Sequence, residues 1–231
     1  MTAESSRLAW QVASAAAGGM LPIEESGRRF TLADLRLAGS HPLLMELKQR
    51  IRGVMPRYQI RNAVVDDLPA LVDIFNFYVA DGHVTFTTTP HTAESRIPWF
   101  ESYSDGPHQL LVCVEDSRIL GCAYSSRYRP GSAFDTTVET SIYLHPEARG
   151  RRVGQHLYSA LFDRLATQPL HLAVAGIALP NPGSIALHYR MGFEEVGTFR
   201  EYAFKRGQWI SSTWLQRPVG MLAAPPPDRR T

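Results

Sequence analysis

At residues 145–162 the chain reads HPEARGRRVGQHLYSALF. Gly150 and Gly154 are interleaved with Arg149, Arg151 and Arg152, directly ahead of a helix predicted over 152–167, where Val153, Leu157, Ala160, Leu161 and Leu165 share one stripe. Main-chain freedom and positive charge therefore coincide with a helix start, where free backbone N–H groups and the positive end of the helix dipole converge. The glycines let the backbone approach an anion closely, and the arginines supply charge. A glycine-arginine loop is equally the signature of a solvated basic turn, so the rest of the chain has to decide. The loop lacks the Lys-Ser or Lys-Thr pair of a nucleotide P-loop, which argues against ATP chemistry.

The surrounding pattern predicts an ordered series of elements. A short β-run at 58–64 precedes a helix capped by Asp66 or Asp67, with Pro69 in its first turn. A second helical stretch, TAESRIPWFESYS, follows. QLLVCVEDSRILGCAYSSRYR and DTTVETSIYLHP supply three strands, the first two joined by a tight Glu-Asp-Ser turn. After the central helix come a buried strand, LHLAVAGIAL, a short helix, NPGSIALHYRMG, ended by Gly192, and a closing hairpin, EVGTFREYAFKRGQWISSTWLQ. The order is β, two helices, three strands, helix, strand, helix, two strands. Residues 1–56 read as a helical extension, with short helices at TLADLRLAG and HPLLMELKQRIRG; 57–218 form one α/β domain and 219–231 a flexible Pro-rich tail. The apolar face of HPLLMELKQRI either docks on its own domain or makes a homodimer contact.

Composition removes several classes. A formal net charge of +2 is too small for a general nucleic-acid binder, so any polyanion site is local. Cys113 and Cys122 lie in apolar runs without metal spacing and read as reduced core thiols, which points to the cytoplasm and to no metal. The N-terminal MTAESSRLAWQVASAAAGG fits neither a secretory signal nor a membrane span.

Three residues stand out for their chemistry. In TTVETSIYL, alternation puts Thr137, Glu139, Ser141 and Tyr143 on one face, with Val138, Thr140, Ile142 and Leu144 on the other. A glutamate inside a strand is either a solvated edge carboxylate or a functional group. His188 on its short helix is, by itself, as consistent with packing as with chemistry. Asn181 before Pro182 is explained as a helix N-cap.

TVETSIYLHPEARGRRVGQHLYSALF, VAGIALPNPGSIALHYRMGF and FKRGQWISSTWLQ together resemble the GNAT superfamily of N-acetyltransferases, and within it the phosphinothricin and methionine sulfoximine or sulfone N-acetyltransferases, over about residues 58–217. The resemblance implies a GNAT fold: a mixed, mostly antiparallel seven-stranded sheet with splayed parallel strands four and five and flanking helices. It implies acetyl-CoA as co-substrate, bound by the main chain of Ile142, Tyr143 and Leu144, by the loop Arg149, Gly150, Arg151, Arg152, Val153, Gly154 and Gln155, and by Asn181. Glu139 would be the general base and His188 the group that protonates or hydrogen-bonds the leaving sulfur. Arg129 falls on a basic position of the acceptor loop, with Phe86, Phe134 and Ser141 lining the acceptor pocket for a small amino-acid-like amine. The family loop has glycine where this chain has Arg152. Gly131 and Phe134 stand where the phosphinothricin enzymes have a basic residue and a tyrosine. Other amines, a peptide N-terminus among them, and a non-catalytic acetyl-CoA-binding module are the alternatives.

Overall fold

The computed structural model describes residues 24–25, 28–29, 58–80 and 82–220. The chain divides into two units, Met1–Arg57 and Tyr58–Thr231. In the first, Glu24–Glu25 pairs antiparallel with Arg28–Arg29. The helices expected at 31–39 and 41–53 lie outside the described residues, as do residues 221–231 of the expected tail.

In the second unit the elements run β1 (Gln59–Asn62), α1 (Leu68–Ala80), α2 (Ile97–Glu101), β2 (Leu110–Glu115), β3 (Arg118–Arg127), β4 (Thr137–Leu144), α3 (Val153–Leu165), β5 (Leu172–Ala178), α4 (Pro182–Arg190), β6 (Glu194–Lys205) and β7 (Gln208–Pro218). This is the order expected from the pattern. The seven strands lie in the order β1-β2-β3-β4-β5-β7-β6. Of the neighbouring pairs only β4 and β5 are parallel.

Local chemistry accounts for most boundaries. Asp116 and Ser117 both have positive φ, 47° and 68°, which gives the β2–β3 hairpin the primed two-residue turn that matches strand twist. At the start of α1 the expectation needs correcting. The chain enters through a 3-10 turn, Val65–Asp67, whose N-cap position is Val64, a residue with no side-chain acceptor. Asp67 caps from inside the turn instead: its carboxylate accepts the Val64 N–H at 2.8 Å and two bonds from Arg61 at 2.6 and 2.8 Å. An aspartate that can satisfy a backbone donor and a guanidinium together gains more there than as a simple cap.

The sheet is covered on both faces. Leu157, Tyr158, Leu161 and Leu165 of α3 are fully buried against Leu111, Val138, Ala173 and Leu215. Tyr158 and Phe162 join the stripe read from the sequence, while Ala160 is only half-buried. On the opposite face Leu71, Ile74 and Tyr78 of α1 pack on Leu110, Val112 and Cys122. The parallel pairing of β4 with β5 covers Thr137 to Glu139 against Leu172 to Val174 and then stops. Beyond it β4 stays with β3 and β5 with β7, so the sheet opens between them.

Candidate active site

A cleft of about 610 Å³ enters at this opening, lined by Ser141 to Leu144 of β4, the β4–α3 loop, Ala175 to Ala178 of β5 and one side of α4. At its mouth the β4–α3 loop turns into α3. The N–H groups of Gly150, Arg152, Val153, Gly154 and Gln155 have no acceptor among the described residues, whereas Arg149 and Arg151 bond back to Pro146 and Ala148. These unspent donors, at the positive end of a 13-residue helix, make the loop a cradle for an anion.

Two loop residues show how tightly the cradle is made. A Cβ on Gly154 would lie 3.0 Å from the Leu187 side chain and 3.4 Å from those of Ile142 and Leu144, so glycine lets α3 seat on the end of β4. Arg152 takes the left-handed conformation, φ 63° and ψ 9°, at the N-cap of α3, which explains why glycine suits this position.

The arginines do not act alike. Arg151 is drawn to Glu115 by two bonds of 2.6 and 2.8 Å and lies outside the cleft lining, contrary to its expected place in the site. Arg149 donates to the Tyr78 hydroxyl at 3.1 Å and lies over that ring, while Tyr78 donates to the Leu144 carbonyl at 2.6 Å. Arg152 lines the cleft and has no partner among the described residues.

Farther in, Asn181 caps α4 by accepting the Ser184 N–H at 3.2 Å, with Pro182 in the first turn. His188, 3% exposed, faces the cleft from α4 with both ring nitrogens engaged. Nδ1 lies 2.8 Å from the Ser184 carbonyl, which can only accept, so the proton is on Nδ1. Nε2 then accepts from the Tyr158 hydroxyl at 2.9 Å. Burial pushes the His188 pKa down, so the ring is neutral near pH 7. Thr140 reaches the Val174 carbonyl, 3.4 Å away, at the point where pairing ends. Tyr158 was missed in the sequence, where the apolar stripe of α3 masks it.

Glu139 is the last paired residue of β4 before the opening. Its side chain is half-buried, no described residue hydrogen-bonds its carboxylate, and burial pushes its pKa up. It adjoins Thr140 of the cleft lining but is not itself part of that lining, and neither are Phe86, Arg129 and Phe134. Arg129 lies over the Tyr128 ring at 4.9 Å, and Tyr128 meets Phe134 and Trp214 edge-on. Trp214 in turn covers Gly176, where a Cβ would meet the indole at 3.1 Å. Phe86 meets Tyr202 of β6 in a separate edge contact. Tyr128 and Trp214 carry no sequence signal; the loop and the β7 register bring them together.

Free N–H groups at a helix start and a parted parallel strand pair make a cleft suited to a phosphate-bearing ligand, with the Glu139 carboxylate beside it. The acetyltransferase (GNAT) family profile matches residues 71–193. The chain is 47% identical over 164 residues to a phosphinothricin N-acetyltransferase of Streptomyces coelicolor, covering 70% of this chain and 96% of that protein. It is 35% identical to an L-methionine sulfoximine/L-methionine sulfone acetyltransferase of Pseudomonas paraeruginosa, covering 68% and 92%. Among solved structures, a GNAT superfamily phosphinothricin acetyltransferase from Sinorhizobium meliloti in complex with AcCoA superposes with a TM-score of 0.71 at 32% identity, covering 75% of this chain and 95% of that one. The chain belongs to the GNAT acetyltransferase family. It is an N-acetyltransferase whose acyl donor is acetyl-CoA, and its seven-stranded sheet with parallel β4 and β5 is the fold the sequence led us to expect. Among the described residues no group of three His, Cys, Asp or Glu side chains is placed to hold a metal, and no helix is long and apolar enough to cross a membrane.

Proposed function

We propose that the protein acetylates the primary amine of a small amino-acid-like acceptor of the phosphinothricin or methionine sulfoximine and sulfone type, by direct transfer with Glu139 as the base. The observation that carries this reading is the position of Glu139: a half-buried carboxylate without a bonding partner, at the last residue before β4 and β5 part.

Acetyl-CoA supplies a thioester-activated acetyl group and a pyrophosphate that suits the unspent N–H groups of the β4–α3 loop. Gly150, Gly154 and Arg152 form that cradle, and Arg149, held on Tyr78, adds charge beside it. Ile142, Tyr143 and Leu144, left without a β5 partner, offer main-chain groups to the pantetheine arm as an added strand would, and Asn181 an amide from the other side. Glu139 removes a proton from the acceptor ammonium, and its raised pKa brings it toward working pH. An N–H of the β4 segment that has no β5 partner polarises the thioester carbonyl. Tyr158 lines the cleft with its one hydroxyl proton held on His188 Nε2, and that proton turns from the ring to the sulfur as the thiolate departs. Arg129 binds the acceptor's acid group, with Phe86, Phe134 and Ser141 around it.

Burial raises the pKa of both Cys113 and Cys122 to about 12, so neither is a thiolate nucleophile at neutral pH, which favours direct transfer over an acyl-enzyme. The same two free, buried thiols support a cytoplasmic location. The test is CoA release from acetyl-CoA with phosphinothricin, methionine sulfoximine, methionine sulfone and free amino acids. The expected result is release that depends on one of the first three. Tight acetyl-CoA binding with no release for any of them would overturn the small-acceptor reading.

A further inference from the structure

We propose that Lys205 is a positioning residue for the acceptor side of the site, holding the strap His83–Phe86 in place from the far end of β6. The inference rests on the acceptor reading above, which gives Phe86 to the acceptor pocket.

Lys205 ends β6, two strands away from the opening, yet it is only 4% exposed. Its ammonium donates to the Thr85 carbonyl at 2.9 Å, across 120 residues of chain, and no carboxylate among the described residues pairs with it. A covered charge without a counterion is costly unless its hydrogen bonds do specific structural work. The work here is done at Thr85, itself 6% exposed. Its neighbour Val84 lines the cleft, as Tyr143 of β4 does, so the strap borders the site. One residue on from Thr85, Phe86 stands exposed against Tyr202, three residues before Lys205. At the other end of the strap, His83 Nε2 meets the Pro180 carbonyl at 2.8 Å, beside the Asn181 cap of α4.

The strap is thus bonded to the β5–α4 connection and to β6, both on the β5 side of the opening. Phe86 has no backbone ladder to fix it, because residues 82–92 belong to no helix or strand. Lys205 supplies one of the few directional bonds that set where Phe86 stands relative to Tyr143. Replacing it leaves the anion cradle untouched, since no cradle residue contacts β6 through it. Burial, with Arg206 adding to it, lowers the Lys205 pKa, as a covered ammonium without a carboxylate should show.

The test compares wild type, Lys205→Met and Lys205→Arg in two independent measurements. The first is hydrogen–deuterium exchange of the strap peptide, with acetyl-CoA affinity measured in parallel. Lys205→Met is expected to raise exchange at 83–88 about tenfold or more while the α3 and α4 peptides and the acetyl-CoA Kd stay within twofold. The second is steady-state kinetics with phosphinothricin or methionine sulfone: the acceptor KM is expected to rise about tenfold in Lys205→Met, with the acetyl-CoA KM unchanged and Lys205→Arg recovering part of the loss. Strap exchange equal to wild type, or a loss shared by every peptide and both substrates, would overturn the assignment. If the wild type acetylates neither amine, the small-acceptor reading fails while the exchange comparison still decides the role of Lys205.

Discussion

At the cofactor end of the cleft the proposed binding groups are main-chain N–H groups from one short stretch between Gly150 and Gln155; at the acceptor end they are side chains from widely separated segments, Phe86, Arg129 and Glu139. A main-chain cradle depends on backbone conformation and on small residues at close approaches, so it tolerates variation in side chains such as Arg152. An acceptor wall made of side chains can be retuned one residue at a time without disturbing the fold. The difference explains why acetyl-CoA follows from the family while the amine remains the variable part of the enzyme.

Substitutions should separate the two ends, the largest effect coming from the cradle. Gly154→Val places new atoms against Leu187, Ile142 and Leu144, and overpacking of this kind costs about 1–3 kcal/mol. We expect acetyl-CoA affinity, measured by calorimetry, to fall on the order of 10- to 100-fold, and the KM for the amine to stay near wild type. At the acceptor end Arg129→Ala should raise the amine KM about tenfold and leave the acetyl-CoA Kd unchanged, consistent with loss of a charge-assisted hydrogen bond. Equal effects on both substrates would show the two ends to be coupled more closely than the geometry implies.

Arg152→Gly gives the smallest effect, with opposed parts. Removing the left-handed strain is worth about 1–2 kcal/mol to stability, so the melting temperature should rise. Loss of the guanidinium, which is exposed, should weaken acetyl-CoA binding by about fivefold or less. A large loss of affinity would mean that Arg152 contributes more to the cradle than its exposure suggests.

The cofactor end was also the more legible one in the sequence. The glycine-arginine loop, the α3 stripe, the alternation that aligns Glu139 with Ser141 and Tyr143, and the Asn181-Pro182 cap are local signals, each contained within a few residues. What escaped were contacts that only the completed sheet creates. Arg151 turns to Glu115 because β2 ends beside the loop, and that pairing spans 36 residues. Tyr158 meets His188 across 30 residues and Lys205 meets Thr85 across 120, with no periodicity to announce either. The α1 cap was misread by position because Asp67 also answers Arg61.

The central claim is that the reaction is driven by Glu139, and its raised pKa makes the claim measurable. A base works only when deprotonated, so the acidic limb of kcat/KM should lie above the ordinary carboxylate range, and activity should fall as pH drops through it. Stability runs the opposite way. A raised folded pKa means that stability present below the unfolded pKa is lost as pH rises through the folded value, so Glu139→Gln should be the more stable protein at neutral pH, with the difference vanishing in acid. The most direct measurement is the pH profile of kcat/KM for acetyl transfer to the accepted amine, from about pH 5 to 9, in wild type and Glu139→Gln. The account predicts a drop of about 100-fold or more in the variant and loss of the acidic limb. A variant that keeps both its rate and the wild-type profile would place the base elsewhere.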